Sequence, residues 1–291
     1  MRNNSVSTNG KTFQLHDGRT LGYVGYGNPE GKTLFYFHGH PGSRFEARFL
    51  AEQATQIGIR LIGVDRPGMG LSSYKAGRHF LDWPDDVVEL ADGLHIDRFV
   101  VAGFSGGGPY ALACAFKIPH RLIGCGIISG VGHTGRFRSF LSLWLPWLIL
   151  PLSKRFFRDE ERAKKTLARV SRTWIKPDRK VLSSPQVIDV LAASLVEGLR
   201  QGTTGVAYDG RLLGGSDWGF ELEDIKFQRI YLWHGELDKD IPIAQGRKVA
   251  ERLVRCKAKY YPDEGHISVI VNHQEEIVKG LMSSRSDECP C

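Results

Sequence analysis

The residues best suited to chemistry lie in the segment Gly103-Phe104-Ser105-Gly106-Gly107. It follows a short apolar run, Phe99 to Ala102, and precedes Pro109 to Ala113, which can begin a helix. A serine in a sharp turn between a buried strand and a helix is exposed for attack, and glycines two residues away on either side avoid clashes with the neighbouring backbone. The helix N-terminus favours negative charge that develops nearby. The pattern therefore predicts Ser105 as a nucleophile.

A serine hydroxyl is a poor nucleophile at neutral pH, so Ser105 needs a base within hydrogen-bond reach and a third group that orients the base. His266 follows Gly265 after the last predicted strand, where a loop can present it at the edge of a sheet. Asp238 lies in the loop after the predicted strand Arg229 to Trp233. We expect His266 to be the base and Asp238 to orient it.

Other residues near these two remain alternatives. Asp240 and Glu236 share the loop of Asp238, and spacing alone does not exclude them, although Asp240 is closer to Pro242 and suits a helix cap. His273 lies in a polar segment that enters the final helix, where solvation is expected. His234 comes directly after a strand and is expected to shape the turn that presents the acid.

Acyl transfer also requires backbone donors for the oxyanion, usually one from the residue after the nucleophile and one from the loop after the third strand. Gly106 and His40 meet these requirements. His40 follows Gly39 directly after the apolar run Thr33 to Phe37, and its backbone N–H is the expected donor, with its side chain facing the substrate. Three polar side chains near the predicted cleft, Arg44, Arg66 and His79, receive no role from the sequence.

The elements that must position these residues alternate between strands and helices, which indicates an α/β protein. Strands are predicted at Phe13–His16 and Leu21–Val24 around an Asp17-Gly18 turn, and then at Thr33–Phe37, Leu61–Val64, Phe99–Ala102, Ile123–Ile128, Arg229–Trp233 and Lys257–Tyr261. The short, continuous apolar runs among them are typical of parallel strands buried on both faces. Helices are predicted at Trp83–Leu94 and Ala244–Leu253.

Residues 130–216 interrupt this alternation and are predicted to form an inserted helical cap between core segments 1–129 and 217–291. Ala163, Leu167, Val170 and Trp174 form one apolar stripe on a basic helix. A second helix is expected at Pro185–Gln201, with Ser184 as N-cap. The apolar run Phe140–Leu152 is too short to span a bilayer and contains two prolines, which argues against a transmembrane helix. We expect a buried cap segment, with an acyl-binding wall or a membrane-touching lip as alternatives.

Composition and charge narrow the function classes. The formal net charge of +7 is concentrated between Lys154 and Lys180, and no nucleic-acid-binding motif accompanies it, so no nucleic-acid partner is expected. A solvated basic helix is favoured over contact with a membrane surface. The polar N-terminus predicts no signal peptide and a cytoplasmic location. The five cysteines show no metal-ligand spacing and are expected to be reduced thiols.

Several separated motifs resemble those of the α/β-hydrolase superfamily from about Gln14 to His273. His38-Gly39 resembles its oxyanion loop, and Asp65 to Ser72 resembles the loop after its fourth strand. Gly103 to Gly107 resembles the nucleophile elbow, and Asp238 to Pro242 and Gly265-His266 resemble the acid and histidine loops. The resemblance implies an α/β-hydrolase fold: a mostly parallel eight-stranded sheet flanked by helices, with a cap inserted after the sixth strand.

The resemblance also implies a serine hydrolase that needs no cofactor and cleaves an ester or related acyl bond in a small molecule with a hydrophobic part. Serine at position 105 disfavours dehalogenases and epoxide hydrolases, which resemble this fold but use aspartate there. Thioesterases, amidases, carbon–carbon bond hydrolases and acyltransferases with the same triad are alternatives, as is a ligand receptor built on a hydrolase scaffold. The sequence leaves the natural substrate and the oligomeric state open.

Overall fold

The computed structural model describes residues 10–132, 156–215 and 217–283. Eight strands form one sheet in the order β1-β2-β4-β3-β5-β6-β7-β8. The strands are β1 (Lys11–Gln14), β2 (Thr20–Gly27), β3 (Thr33–Phe37), β4 (Arg60–Val64), β5 (Phe99–Phe104), β6 (Leu122–Ile128), β7 (Ile230–Gly235) and β8 (Cys256–Tyr261). β2 is antiparallel to β1 and to β4, and the remaining pairs are parallel. The predicted fold class is confirmed.

The helices connect these strands and cover both faces of the sheet. They are α1 (Ala51–Gln56), α2 (Trp83–Gly93), α3 (Gly108–Lys117), α4 (Glu160–Val170), α5 (Lys176–Val181), α6 (Pro185–Gly198), α7 (Thr204–Gly214), α8 (Ile243–Arg252), α9 (His266–Asn272) and α10 (Gln274–Met282). Short 3₁₀ helices lie at Arg44–Leu50, Phe80–Asp82, Ser105–Gly107, Pro119–Arg121, Ser171–Thr173 and Leu222–Asp224.

The apolar strands feed two cores, one on each face of the sheet. Phe35 and Phe37 of β3 pack in the core that α2, α3 and α8 complete, whereas Leu34 and Tyr36 pack in the core on the opposite face. Successive side chains of a strand point to opposite faces of the sheet. Because both faces are covered at β3, all five of its side chains are buried. This explains why the sequence shows continuous apolar runs where a half-exposed sheet would show alternation.

Four helices of the described residues, α4 to α7, lie between β6 and β7. Leu167 of α4 and Leu191 of α6 are buried in the second core together with residues of the sheet. We propose that residues 130–216 form the inserted cap, which is supported by this run of helices between two neighbouring parallel strands. The segment Phe140–Leu152 lies outside the described residues.

The cysteines of the described residues, Cys114, Cys125 and Cys256, are free thiols. Cys289 and Cys291 lie outside the described residues.

One detail of the predicted cap helices is wrong and one is confirmed in position. The apolar stripe does not run along one helix: α4 ends at Val170, which is 45% exposed, and Trp174 lies beyond the following 3₁₀ turn. Ser184 is the N-cap residue of α6, as predicted, although its hydroxyl donates to the Gln186 side chain and makes no capping hydrogen bond.

Candidate active site

Ser105 follows β5 directly and begins the 3₁₀ turn that continues into α3. Its φ of 50° lies in the left-handed region, which costs a non-glycine residue on the order of 1–3 kcal/mol. Both flanking glycines are required by their surroundings. A Cβ on Gly103 would overlap the Gly107 carbonyl, and one on Gly107 would overlap the carbonyl of Phe37 in the neighbouring strand β3. The sequence therefore holds Ser105 in a strained turn at the carboxyl end of β5.

His266 and Asp238 meet at the same edge of the sheet. His266 is the first residue of α9, and its Nδ1 lies 2.8 Å from Asp238 Oδ2. The other oxygen of Asp238 accepts the backbone N–H groups of Asp240 and Ile241 at 2.9 and 2.8 Å. Because the carboxylate is held by its own loop, it can hold the imidazole in one orientation, with a proton on Nδ1 and a free Nε2.

The environment of His266 alters its basicity. Burial alone would lower its pKa, but the hydrogen bond and the charge of Asp238 outweigh burial, so the pKa of His266 is raised above its ordinary value. His234 lies beneath the acid loop, where its Nε2 is 2.8 Å from the Ile241 carbonyl and 3.4 Å from Asp238. Burial lowers the pKa of His234, which favours a neutral ring that donates to that carbonyl.

The alternatives from the sequence occupy other positions. Asp240 lines the same pocket as His266, but α8 begins without a side-chain cap, so the expected cap is wrong. Glu236 pairs with Arg247 at 2.7 Å on the surface. His273 is not simply solvated, because it stacks on Tyr261 with ring centroids 3.9 Å apart and lies 3.1 Å from Glu264.

The loop after β3 approaches the elbow from the other side. A Cβ on Gly106 would lie 2.8 Å from His40 Cβ and 3.4 Å from His40 N, so the two segments are in direct contact. Gly106 lies in the first turn of a helix, where backbone N–H groups lack partners within the helix. Within the described part of the chain, no acceptor is found for the His40 N–H. Two backbone donors are therefore available beside Ser105.

A pocket of about 620 Å³ joins these groups. Ser105, Gly106, His40 and His266 all line it. Its walls are largely apolar, and residues of the segment between β6 and β7 form one side: Phe157, Leu167, Val170, Trp174, Leu195 and Leu213. A reacting bond at Ser105 would thus lie in a largely apolar pocket.

Three buried carboxylates that the sequence did not single out support this site. Asp178 of α5 accepts the backbone N–H groups of His266, Ile267 and Ser268 at 2.9–3.0 Å. Asp209 of α7 lies 3.0 Å from Nδ1 of His40. No local signal could have identified either aspartate, because each is paired with residues distant in the sequence.

The third carboxylate, Glu46, did carry a sequence signal, but a misleading one. Its spacing of three from Ser43 is typical of a capping box. In the structure the carboxylate instead accepts the Gly39 N–H at 2.7 Å and the Tyr36 hydroxyl at 3.0 Å. Burial raises the pKa of Glu46 to about 7, although these two hydrogen bonds oppose the rise.

The described residues contain no cluster of three or more histidine, cysteine, aspartate or glutamate side chains that could bind a metal ion. None of their helices has the length and apolar character needed to cross a membrane.

Comparison with known proteins places this chain in a family. The model of the alpha/beta hydrolase family matches residues 34–279, so the chain belongs to the alpha/beta hydrolase family. The matched region includes all of β3 except Thr33, and the elbow, the acid loop and the histidine loop. The resemblance noted from the separated motifs is thereby confirmed.

Individual relatives are distant. The chain is 27% identical over 126 residues to a serine hydrolase-like protein from Dictyostelium discoideum, a match covering 41% of this chain and only 35% of that protein. The structure of the enol-lactonase from Burkholderia xenovorans is 20% identical with a TM-score of 0.72, covering 94% of this chain and all of that one. An esterase from Exiguobacterium antarcticum is 17% identical with a TM-score of 0.72, again covering 94% of this chain and all of that one. The two structures share the fold.

Proposed function

We propose that the protein is a serine hydrolase that cleaves an ester or related acyl bond through an acyl-enzyme at Ser105. The observation that carries the proposal is the hydrogen bond of 2.8 Å from His266, which lines the same pocket as Ser105, to Asp238. Family membership supports it, as do relatives described as a serine hydrolase-like protein and an esterase.

The proposed roles follow from the hydrogen bonds. Because Asp238 holds the proton on Nδ1 of His266, Nε2 is free to accept the proton of the Ser105 hydroxyl as its oxygen attacks the acyl carbon. The N–H groups of His40 and Gly106 stabilise the negative charge on the acyl oxygen. His266 then returns the proton to the leaving alkoxide, which departs as an alcohol and leaves the acyl group on Ser105.

The second half of the reaction uses the same groups. His266 removes a proton from water, and the resulting hydroxide equivalent attacks the acyl carbon. The tetrahedral species is again held by the two backbone donors. Its collapse breaks the bond to Ser105, the serine oxygen regains its proton from His266, and the carboxylic acid leaves.

The apolar wall of the pocket supports a substrate with a hydrophobic acyl or alcohol group. An enol-lactone and a carboxylic ester share an acyl carbon bound to oxygen, so both belong to the class that this site would accept. The pocket geometry favours small molecules over a polymer chain.

Pre-steady-state hydrolysis of 4-nitrophenyl butyrate tests the proposal. An acyl-enzyme that forms faster than it hydrolyses predicts a burst of nitrophenolate equal to the enzyme concentration, absent in Ser105→Ala. Rapid acid quenching followed by peptide mass analysis should place a butyryl group on Ser105. Equal hydrolysis by wild type and Ser105→Ala would overturn the proposal.

A further inference from the structure

Arg66, the second residue after β4, is fully buried beneath the loop that carries His40. Its guanidinium donates to two consecutive carbonyl oxygens of that loop, His38 O through Nη1 and Gly39 O through Nη2, the latter at 3.0 Å. A planar guanidinium with donors in a fixed fork can hold two acceptors at once, which an ammonium group does not match.

His38 adds a second restraint on the same carbonyl. The backbone N–H of Arg66 donates to His38 Nε2 at 3.2 Å, so the ring carries its proton on Nδ1, and Nδ1 donates to Gly39 O at 2.7 Å. Burial and the nearby charge of Arg66 lower the pKa of His38 well below its ordinary value, which keeps the ring neutral. Gly39 O thus has two donors.

These contacts determine the direction of the His40 N–H. Gly39 O and His40 N belong to one peptide unit, and a trans peptide directs its N–H opposite to its C=O. With the carbonyl held by Arg66 and His38, the His40 N–H must point away from them. It is the same N–H for which the described residues supply no acceptor, and it lies beside Gly106.

Asp209 of α7 orients Arg66 in turn. Its Oδ2 accepts from Arg66 Nη2 at 2.8 Å and lies 3.0 Å from His40 Nδ1, while Oδ1 accepts from Arg78 at 2.8 Å and from the Tyr110 hydroxyl at 2.5 Å. The carboxylate is fully buried, yet the surrounding cations outweigh burial and hold the pKa of Asp209 well below its usual range. It therefore stays charged.

We propose that Arg66 is a positioning residue for catalysis: oriented by Asp209, it fixes the Gly39–His40 peptide so that the His40 N–H faces the developing oxyanion. The inference rests on the proposed function of Ser105. Asp209 thereby gives α7, which lies between β6 and β7, a role in stabilising the transition state, although Asp209 itself does not touch the substrate.

Arg78 provides a matched control. Both arginines are buried and pair with Asp209 at 2.8 Å. Among the described residues, the Arg78 guanidinium has no hydrogen bond to the His40 loop and donates instead to the Tyr110 hydroxyl. Arg66→Lys should lower kcat about 100-fold, as loss of an oxyanion donor does, with KM changed less than about threefold. Arg78→Lys should lower kcat less than about fivefold on the same basis.

The affinity for a trifluoromethyl ketone separates positioning from general damage. Such a ketone forms a tetrahedral oxyanion on the serine, so its inhibition constant should rise in Arg66→Lys in parallel with the loss of kcat/KM. If Arg66→Lys does not fold, Asp209→Asn replaces it, with an expected loss in kcat of more than about tenfold and the same weakening of the ketone.

The outcomes distinguish this inference from the proposed function. An active wild type with equal kcat losses in Arg66→Lys and Arg78→Lys, or with unchanged ketone affinity in Arg66→Lys, would overturn the inference alone. A folded wild type that neither hydrolyses esters nor binds the ketone would overturn both.

Discussion

Asp178 of α5 accepts the backbone N–H of His266 at 2.9 Å. The same carboxylate accepts the next two N–H groups of α9, so an aspartate from the segment between β6 and β7 caps the helix that begins with the proposed base. It also packs against Gly265, where a Cβ would overlap the carboxylate. Asp178 and Asp209 both belong to the segment between β6 and β7, and both hydrogen-bond to residues that position the site.

We expect Asp178→Ala to lower both stability and activity. Loss of the cap leaves three N–H groups of a buried turn without an acceptor and should cost about 1–3 kcal/mol of unfolding free energy. Because the orientation of His266 is relaxed, kcat should fall about tenfold or more. Urea denaturation and steady-state kinetics check this, with Arg179→Ala on the exposed side of α5 as control. Wild-type kcat in Asp178→Ala would contradict the positioning of His266 by α5.

The pH dependence of hydrolysis should report the pKa of His266. His266 must be neutral to accept a proton, so kcat/KM should fall as pH is lowered through its pKa. Because the pKa of His266 is raised above the ordinary 6.5, the midpoint of this fall should lie above pH 6.5. In Asp238→Asn the strongest of the groups that raise the pKa of His266 is neutral, while Asp240, Asp178 and burial remain, so this midpoint should move to lower pH. The maximal rate should also fall about 10³-fold or more. A midpoint that moves upward in the variant would contradict the assignment of Asp238.

Glu46 should make stability depend on pH. Its pKa of about 7 in the folded protein exceeds the ordinary 4.5, so the folded state binds more protons between these values and stability falls as pH rises through them. Relative to Glu46→Gln, the wild type should lose on the order of 3 kcal/mol of unfolding free energy between about pH 4.5 and pH 8. Chemical denaturation of both proteins at several pH values measures the difference. Parallel curves would show that Glu46 is charged in both states.

Much of this architecture is predictable from the sequence because it depends on local patterns. Continuous apolar runs predicted β3 and β5, and the glycines around Ser105 predicted the turn that φ of 50° requires. The pairing of His266 with Asp238 followed from the order of loops after strands. Each residue was located by the strand or turn next to it in the sequence, although the pair that His266 and Asp238 form spans 28 residues.

The supporting contacts were not predictable, because they join distant parts of the chain. Asp209 meets Arg66 across 143 residues, and Asp178 meets His266 across 88. Arg66 was recognised as polar and near the cleft, but its role depends on the direction of two carbonyls. The error at Trp174 has a related origin, since apolar spacing continues past the point where α4 ends.

The apolar wall predicts a preference for hydrophobic acyl chains. From acetyl to hexanoyl 4-nitrophenyl esters, kcat/KM should rise, since each buried methylene contributes up to about 0.8 kcal/mol. Val170 lines the pocket but is 45% exposed, so Val170→Asp should lower kcat/KM for the hexanoyl ester more than for the acetyl ester at little cost in stability. Values of kcat/KM that stay constant or decline along the series would contradict the proposal that the apolar wall binds a hydrophobic group of the substrate.

The most direct test of the central claim is the intact mass of the protein after exposure to a fluorophosphonate, which reacts with serines activated by a neighbouring base. We predict one adduct, located on Ser105 by peptide mapping, absent in Ser105→Ala and strongly slowed in His266→Ala. A folded protein that acquires no adduct, or acquires it equally in Ser105→Ala, would contradict the assignment of Ser105 as an activated nucleophile.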